Sequence, residues 1–155
     1  MLEHLKSHLS DKVVILGIGN TLSSDDGVGS ILASRIKDKV PYTVYDAGIN
    51  PENYLGKIIK DKPDNIVIID AVDLGAQPGD YAVLEGKEIK TVNLYSTHNA
   101  SISLTINYLQ SNLEVDIIIL AIQPKSIAFG DKLSQEVEKT LKRLEDWFDA
   151  AEEKR

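Results

Sequence analysis

Cysteine is missing from this sequence altogether. Its absence excludes disulfides, thiolate metal sites and cysteine nucleophiles, and it fits a reducing cytoplasm. Positive charge is also scarce: 17 Lys and Arg stand against 24 Asp and Glu, a formal net charge of -7. A field of that sign repels phosphates, which argues against nucleic acid or an anionic membrane surface as a partner. No apolar run approaches the length of a transmembrane span, and the N-terminal segment has no apolar stretch followed by a cleavage site. A cytoplasmic protein without membrane insertion is expected. Repeats, low-complexity tracts and linkers are lacking too, so residues 1–155 are read as a single domain, long enough to bury a core.

What is present centres on Gly17-Ile-Gly-Asn-Thr-Leu-Ser-Ser-Asp25-Asp26-Gly27-Val-Gly29. The apolar run Val13 to Leu16 enters it, and Val28, Ile31, Leu32 and Ile36 leave it at helical period. A strand thus delivers the chain to a glycine-rich turn and a helix carries it away. Glycine lets backbone approach a ligand or another chain closely. Two adjacent acids can bind a cation or handle protons. This is not a dinucleotide or Walker loop: Leu22 stands where a third Gly belongs, and no Gly-Lys-Ser/Thr follows.

In order along the chain, Leu2, Leu5 and Leu9 suggest a short helix whose His4 and His8, at i and i+4, share a face. That spacing can hold a metal, but a solvated face is the simpler expectation. A strand over 13–18 is apolar throughout, as in a sheet buried on both faces. A helix over 27–39 stops before Pro41, a second strand at 42–45 ends in Asp46-Ala-Gly48, and Asn50-Pro51 is expected to cap a helix carrying Tyr54, Leu55, Ile58 and Ile59. The third strand, Ile66 to Ile69, ends on Asp70. Residues 71–79 are too few for a crossover helix, so a strand at 81–84 should run antiparallel. Residues 85–95 bring the chain back to Ser96-Thr-His98-Asn99, which opens a helix with Ile102, Ile106, Leu109 and Leu113 on one face. A last strand at 116–121 leads to Gln123-Pro124, and a final helix from about Ser134 keeps Val137, Leu141, Leu144, Phe148 and Ala151 together. The pattern is that of an α/β protein: a three-layer α/β/α sandwich whose five-stranded sheet is mostly parallel with one antiparallel strand.

In such a sheet the parallel strands end on one edge, and ligands bind in the crevice outside it. Asp25 and Asp26 follow the first strand, Asp46 the second, Asp70 the third and Gln123 the last, while His98 starts a helix that must set out from the same edge. Bland readings exist for each. Asp25 or Asp26 can be the N-cap of the first long helix. Asp46 and Asp73 can bond their own turns. Asp70 is harder to set aside, because an acid at the end of the most buried strand costs desolvation unless something pairs with it. His98 at a helix start is kept neutral by the helix dipole, which suits a metal ligand, or it bonds a backbone carbonyl. Asp26, Asp70 and His98 together form two carboxylates and an imidazole without thiolate, an open site for a borderline ion such as nickel or zinc.

Five motifs in this order, Gly17-Ile-Gly-Asn20 with Asp25-Asp26-Gly27-Val-Gly29, Asp46-Ala-Gly48 with Pro51-Glu52-Asn53, Asp70-Ala-Val-Asp73 with Pro78-Gly79, Ser96-Thr-His98-Asn99, and Ile122-Gln123-Pro124, resemble the nickel–iron hydrogenase maturation endopeptidases. The type processing the large subunit of formate-hydrogenlyase-like, energy-converting hydrogenases is the most similar, over about 13–148. The resemblance implies an endopeptidase that removes a C-terminal extension from the large-subunit precursor after nickel insertion. It implies Asp26, Asp70 and His98 as metal-contacting positions and Asp46 as a further catalytic acid. Asp26 is Glu in some relatives, so its reach differs by a methylene. The nickel would belong to the substrate and act as recognition handle, with zinc or cadmium able to substitute in vitro. The metal could polarise the scissile carbonyl or lower the pKa of a bound water, with Asp46 or Asp25 as base. Other readings of the same residues are a metal-binding maturation chaperone without hydrolysis, a receiver-like signalling domain phosphorylated on Asp70, and a nucleotide-binding module using Gly17-Ile-Gly19.

Overall fold

The computed structural model describes residues 2–9, 12–85 and 99–153. Five strands form one sheet: β1 (Val13–Ile18), β2 (Thr43–Gly48), β3 (Asn65–Ala71), β4 (Tyr81–Glu85) and β5 (Asp116–Ile122). Their spatial order is β2-β1-β3-β5-β4, parallel except for β4, which runs antiparallel to β5 at the edge. The short 71–80 connection decides this, since it cannot carry the chain back across the sheet.

Among the described residues five helices cover the two faces. Strand residues alternate between them, so one strand supplies two cores. Val13, Ile15, Val67, Ile69, Ile118 and Leu120 pack against α1 (Leu2–Ser7), α2 (Val28–Ile36) and α5 (Gln135–Glu153) through Leu5, Leu32, Ile36, Leu141 and Phe148. Val14, Leu16, Ile66, Ile68, Ile117 and Ile119 pack against α3 (Leu55–Asp61) and α4 (Asn99–Asn112) through Ile58, Ile102, Ile106 and Leu109. Burying each such side chain contributes about 1.5–3 kcal/mol. The continuous apolar runs are thus explained by a sheet covered on both sides, in the three layers expected.

Some local expectations need correction. The helix expected over 27–39 is α-helical only over Val28–Ile36, with turns following. Asn50 stands at an N-cap but makes no side-chain capping bond. The chain there forms a 3-10 turn, Pro51–Tyr54, in which the Asn53 N–H already closes on the Asn50 carbonyl at 3.1 Å. Lys62 ends α3 in the left-handed region, φ 50°, its N–H reaching the carbonyls of Ile58 and Ile59. Pro63 then forbids continuation. His4 and His8 keep the partly solvated face expected of them, and on it both turn toward Glu85 at the end of β4. Residues 86–98 lie outside the described residues, and with them Ser96, Thr97 and His98. Among the described residues no helix is long and apolar enough to cross a membrane.

Candidate active site

The glycines of the first loop serve backbone packing. A Cβ at Gly29 would fall 2.2 Å from the Ile69 carbonyl oxygen and 2.3 Å from that of Ile18. The first turn of α2 therefore rests directly on the carboxyl ends of β1 and β3. At Gly19 the same atom would lie 2.4 Å from the carbonyl oxygen of Asp26. Of the two uses open to glycine, approach to another chain segment is the one realised.

This close packing sets a 3-10 turn, Ser24–Gly27, at the strand tips and against β3. Neither of its acids caps α2, correcting the bland expectation: the N-cap is Gly27, without a side-chain bond. The two neighbouring carboxylates have different surroundings. Asp25 is fully buried and turns toward the segment after β5, accepting from the N–H groups of Lys125 (2.8 Å), Ser126 (3.3 Å) and Ser134 (2.8 Å) and from the Ser134 hydroxyl (2.9 Å). Ser134 in turn accepts from the Val137 N–H at 3.3 Å and so caps α5. Asp25 is a structural pin, with its oxygens committed to four donors. Asp26, 3% exposed, accepts from the Asn20 N–H at 3.3 Å, which ties it to the loop leaving β1.

Asp46 and Asp70 flank β1. Gly17 of β1 pairs with Asp46 on one side and with Ile69, one residue before Asp70, on the other. Both acids thus reach the same end of the sheet, two strand spacings apart, about 10 Å between backbones. Strand alternation sends Asp46 to the α2 side, where Ser30 Oγ donates to its Oδ1 at 2.5 Å. The Gly48 N–H adds a 3.3 Å bond to the same oxygen, so the self-bonding turn reading of Asp46 also holds. Asp70 belongs by parity with Ile66, Ile68 and Val72, the side of α4. It is fully buried and accepts from the Ala71 N–H at 2.9 Å. Gln123, after β5, braces the loop after β3: its Oε1 accepts from Leu74 N–H (2.6 Å) and Ala76 N–H (3.2 Å), and its Nε2 donates to Asp73 (3.3 Å). Asp73 also accepts from Gly75 N–H at 3.0 Å, the turn role expected of it.

An open cavity of about 390 Å³ lies at the tips of β1 and β2, bordered by Asn20, Leu22, Ser30, Asp46, Gly48 and Asn50. Asp46 is its exposed acid, and Asn20 links the cavity wall to the buried Asp26. Beside it stands the segment pinned by Asp25: Ser24 Oγ donates to the Ala128 carbonyl at 2.7 Å, and Gly130 N–H to that of Leu22 at 2.9 Å. Leu22, Ile127 and Phe129 are exposed on this ledge, Phe129 to 90%. At its base Lys125 Nζ meets Glu136 at 2.8 Å; the pair raises the ammonium pKa and lowers that of the carboxyl. Ser30, Ser134 and the ledge were not anticipated from sequence. Single polar residues on a helix or loop carry no signal of a partner 16 or 109 positions away.

The family model for hydrogenase maturation proteases, HycI, matches residues 27–148. The chain belongs to this family. It is therefore a peptidase, which sets aside the receiver and nucleotide-binding readings. The hydrogenase 3 maturation protease of Escherichia coli is 34% identical over 143 residues, covering 86% of this chain and 89% of the relative. A putative hydrogenase maturation protease of Methanocaldococcus jannaschii is 33% identical over 148 residues, 88% and 85% of the two chains. The crystal structure of the NiFe hydrogenase maturation protease HycI from Thermococcus kodakarensis superposes with a TM-score of 0.85 at 29% identity, over 97% of this chain and 99% of the other. The solution structure of the endopeptidase HycI from Escherichia coli gives a TM-score of 0.76 at 25% identity, over 90% of each chain. In this maturation protease, then, the described acids occupy the sheet edge at which open α/β folds bind their ligands.

Proposed function

We propose that this protease removes a C-terminal extension from the precursor of a nickel–iron hydrogenase large subunit, and that nickel already held by that precursor is what it recognises. The observation that supports the reading is a shared sheet end: the turn after β1 carries Asp26 there, and the carboxyl ends of β2 and β3 carry Asp46 toward α2 and Asp70 toward α4. Asp26, Asp70 and His98 are the positions assigned to the substrate's nickel. Two oxygens and one imidazole nitrogen leave coordination positions for ligands the precursor brings, and such a donor set suits a borderline divalent ion. When bound, the ion supplies Lewis-acid polarisation of a nearby carbonyl or water. Asp46 is assigned the proton work. It is exposed to the cavity, and the Ser30 hydroxyl holds its orientation. As a carboxylate it takes a proton from the water that attacks the scissile carbonyl carbon, then returns it to the departing amide nitrogen as the C–N bond breaks. Asp25 is left out of the chemistry because its oxygens are committed to the 125–134 segment.

The test is incubation of wild type, Asp46→Asn, Asp70→Asn and His98→Ala with nickel-loaded and nickel-free large-subunit precursor, read by intact mass. Wild type should trim the loaded precursor alone. Asp46→Asn should still bind it while cutting ~10²–10⁴-fold more slowly, the usual contribution of a general base. Asp70→Asn and His98→Ala should lose nickel-dependent binding. Full trimming by both of the last two, or equal trimming of the nickel-free precursor, would remove the proposed site.

A further inference from the structure

We propose that His4, His8 and Glu85 form a second metal site, for a zinc-like divalent cation, at the rim of the sheet opposite the crevice. Glu85 is the last residue of β4 and pairs with Ile118, near the start of β5. The proposed nickel-binding acids stand at the other, carboxyl ends of the parallel strands, so the two sites are separate.

Three observations point to a cation. The first is the donor set: one ring nitrogen from each imidazole and a carboxylate oxygen, all within 4.8 Å of one another. The second is spacing. Each Nε2 lies 3.7 Å from Glu85 Oε1, too long for a hydrogen bond. Ligands around tetrahedral zinc, at ~2.0–2.2 Å from the ion, sit roughly 3.3–3.6 Å from one another. Closing each imidazole on Glu85 needs a few tenths of an ångström, and drawing the two imidazole nitrogens together, within 4.8 Å as they stand, needs at most a little over ~1 Å, within reach of side chains that are 49%, 20% and 26% exposed. The third is tautomer. His8 Nδ1 lies 2.9 Å from the His4 carbonyl oxygen, which only accepts, and the Ser7 hydroxyl 3.3 Å from the same nitrogen already donates to that carbonyl, so the contacts favour the tautomer with the proton on Nδ1. That leaves the Nε2 lone pair facing Glu85, the arrangement by which a backbone carbonyl orients a metal-binding imidazole. A cavity of about 310 Å³ bordered by His8, Glu85, Gln110 and Asp116 leaves room for water as a fourth ligand. The i, i+4 pair on α1 thus finds its third ligand across the sheet edge, from a residue 77 positions after His8. The bound cation would clamp α1, whose Leu5 is buried in the core, to the antiparallel edge strand.

The experiment is calorimetric titration of chelator-stripped full-length protein with zinc chloride, for wild type, the His4→Ala/His8→Ala double variant and Glu85→Gln. The difference between wild type and the double variant isolates this site, whatever the crevice binds. Wild type should take up one more equivalent than the double variant. Glu85→Gln should lower the affinity of that equivalent more than ~10-fold, since even the outer partners of metal ligands are worth 10–100-fold. Zinc should raise the Tm of wild type above the shift seen in the double variant. Circular dichroism checks that each variant folds, and Glu85→Gln, nearly isosteric, keeps the test decisive should the double variant not fold. Equal stoichiometry and affinity in wild type and double variant, or undiminished affinity in Glu85→Gln, would overturn the proposal.

Discussion

Asp25→Ala should be among the most damaging single changes outside the core, although the residue does no chemistry in this scheme. Its buried carboxylate accepts three backbone N–H groups and a hydroxyl from residues 125–134. Alanine leaves all four donors without their acceptor. Hydrogen bonds to a charged group contribute ~1.5–3 kcal/mol each in burial, but Lys125 and Ser126 are exposed enough for water to replace part of the loss. A net cost of about 3–5 kcal/mol follows, a large share of the ~5–15 kcal/mol that holds a domain together. Asp25→Asn separates geometry from charge. With its carbonyl oxygen at the Oδ2 position, asparagine keeps the Lys125, Ser126 and Ser134 hydroxyl contacts but turns its NH₂ onto the Ser134 N–H, donor against donor. Its cost should be smaller, about 1.5–3 kcal/mol. Urea unfolding followed by circular dichroism measures both, and precursor trimming per folded molecule measures function. If Asp25→Ala costs less than about 1 kcal/mol, the net value of a single ordinary hydrogen bond, the pin is not what holds the segment. Folded Asp25→Asn unable to trim would move the residue into the chemistry.

Glycines with opposite surroundings give a paired expectation. Gly29→Ala drives a methyl into two carbonyl oxygens and should cost ~1–3 kcal/mol or more while lifting α2 from the strand tips, whereas Gly56→Ala on α3 meets nothing within 4 Å and should stabilise by ~0.4–1 kcal/mol. Thermal melts of the two variants check the contrast, and equal effects would contradict the packing described for the first loop. Tyr45 gives a pH signature. Its hydroxyl donates to Asp61 at 2.6 Å, and burial, with that bond and the charge of Asp61, pushes its pKa up to about 12. The folded state therefore holds the proton more tightly than the unfolded chain, whose value is ~10, so this stability is complete below pH ~10 and lost as pH rises through about 12. Partial exposure limits it to about 1 kcal/mol. Stability measured from pH 9 to 12 should fall more steeply in wild type than in Tyr45→Phe, and parallel profiles would sink the assignment.

Strands were the most legible part of the sequence. Apolar runs such as Val13–Ile18 are continuous because both faces of β1 are covered, and the short 71–80 connection dictated the direction of β4. The cap expected of Asn50, and the one open to either Asp25 or Asp26, are not made, because propensity sees only the local chain while the two acids answer to other segments. The edge shared by Asp26, Asp46 and Asp70 follows from topology alone and could be drawn beforehand. That Asp46 and Asp70 sit on opposite sides of the sheet could not, because it depends on the register at the strand ends, where Gly17 meets Asp46 and Ile69. Partners such as Ser30 for Asp46, Ser134 for Asp25 and Glu85 for the two imidazoles arise from tertiary proximity that no local pattern announces.

The adjacency of Asp25 and Asp26 puts an anchor for the 125–134 segment and a carboxylate held by the loop after β1 one peptide bond apart. Whatever settles on Phe129 leans on a ledge bolted to the first carboxylate, and that carboxylate shares its short turn with the second.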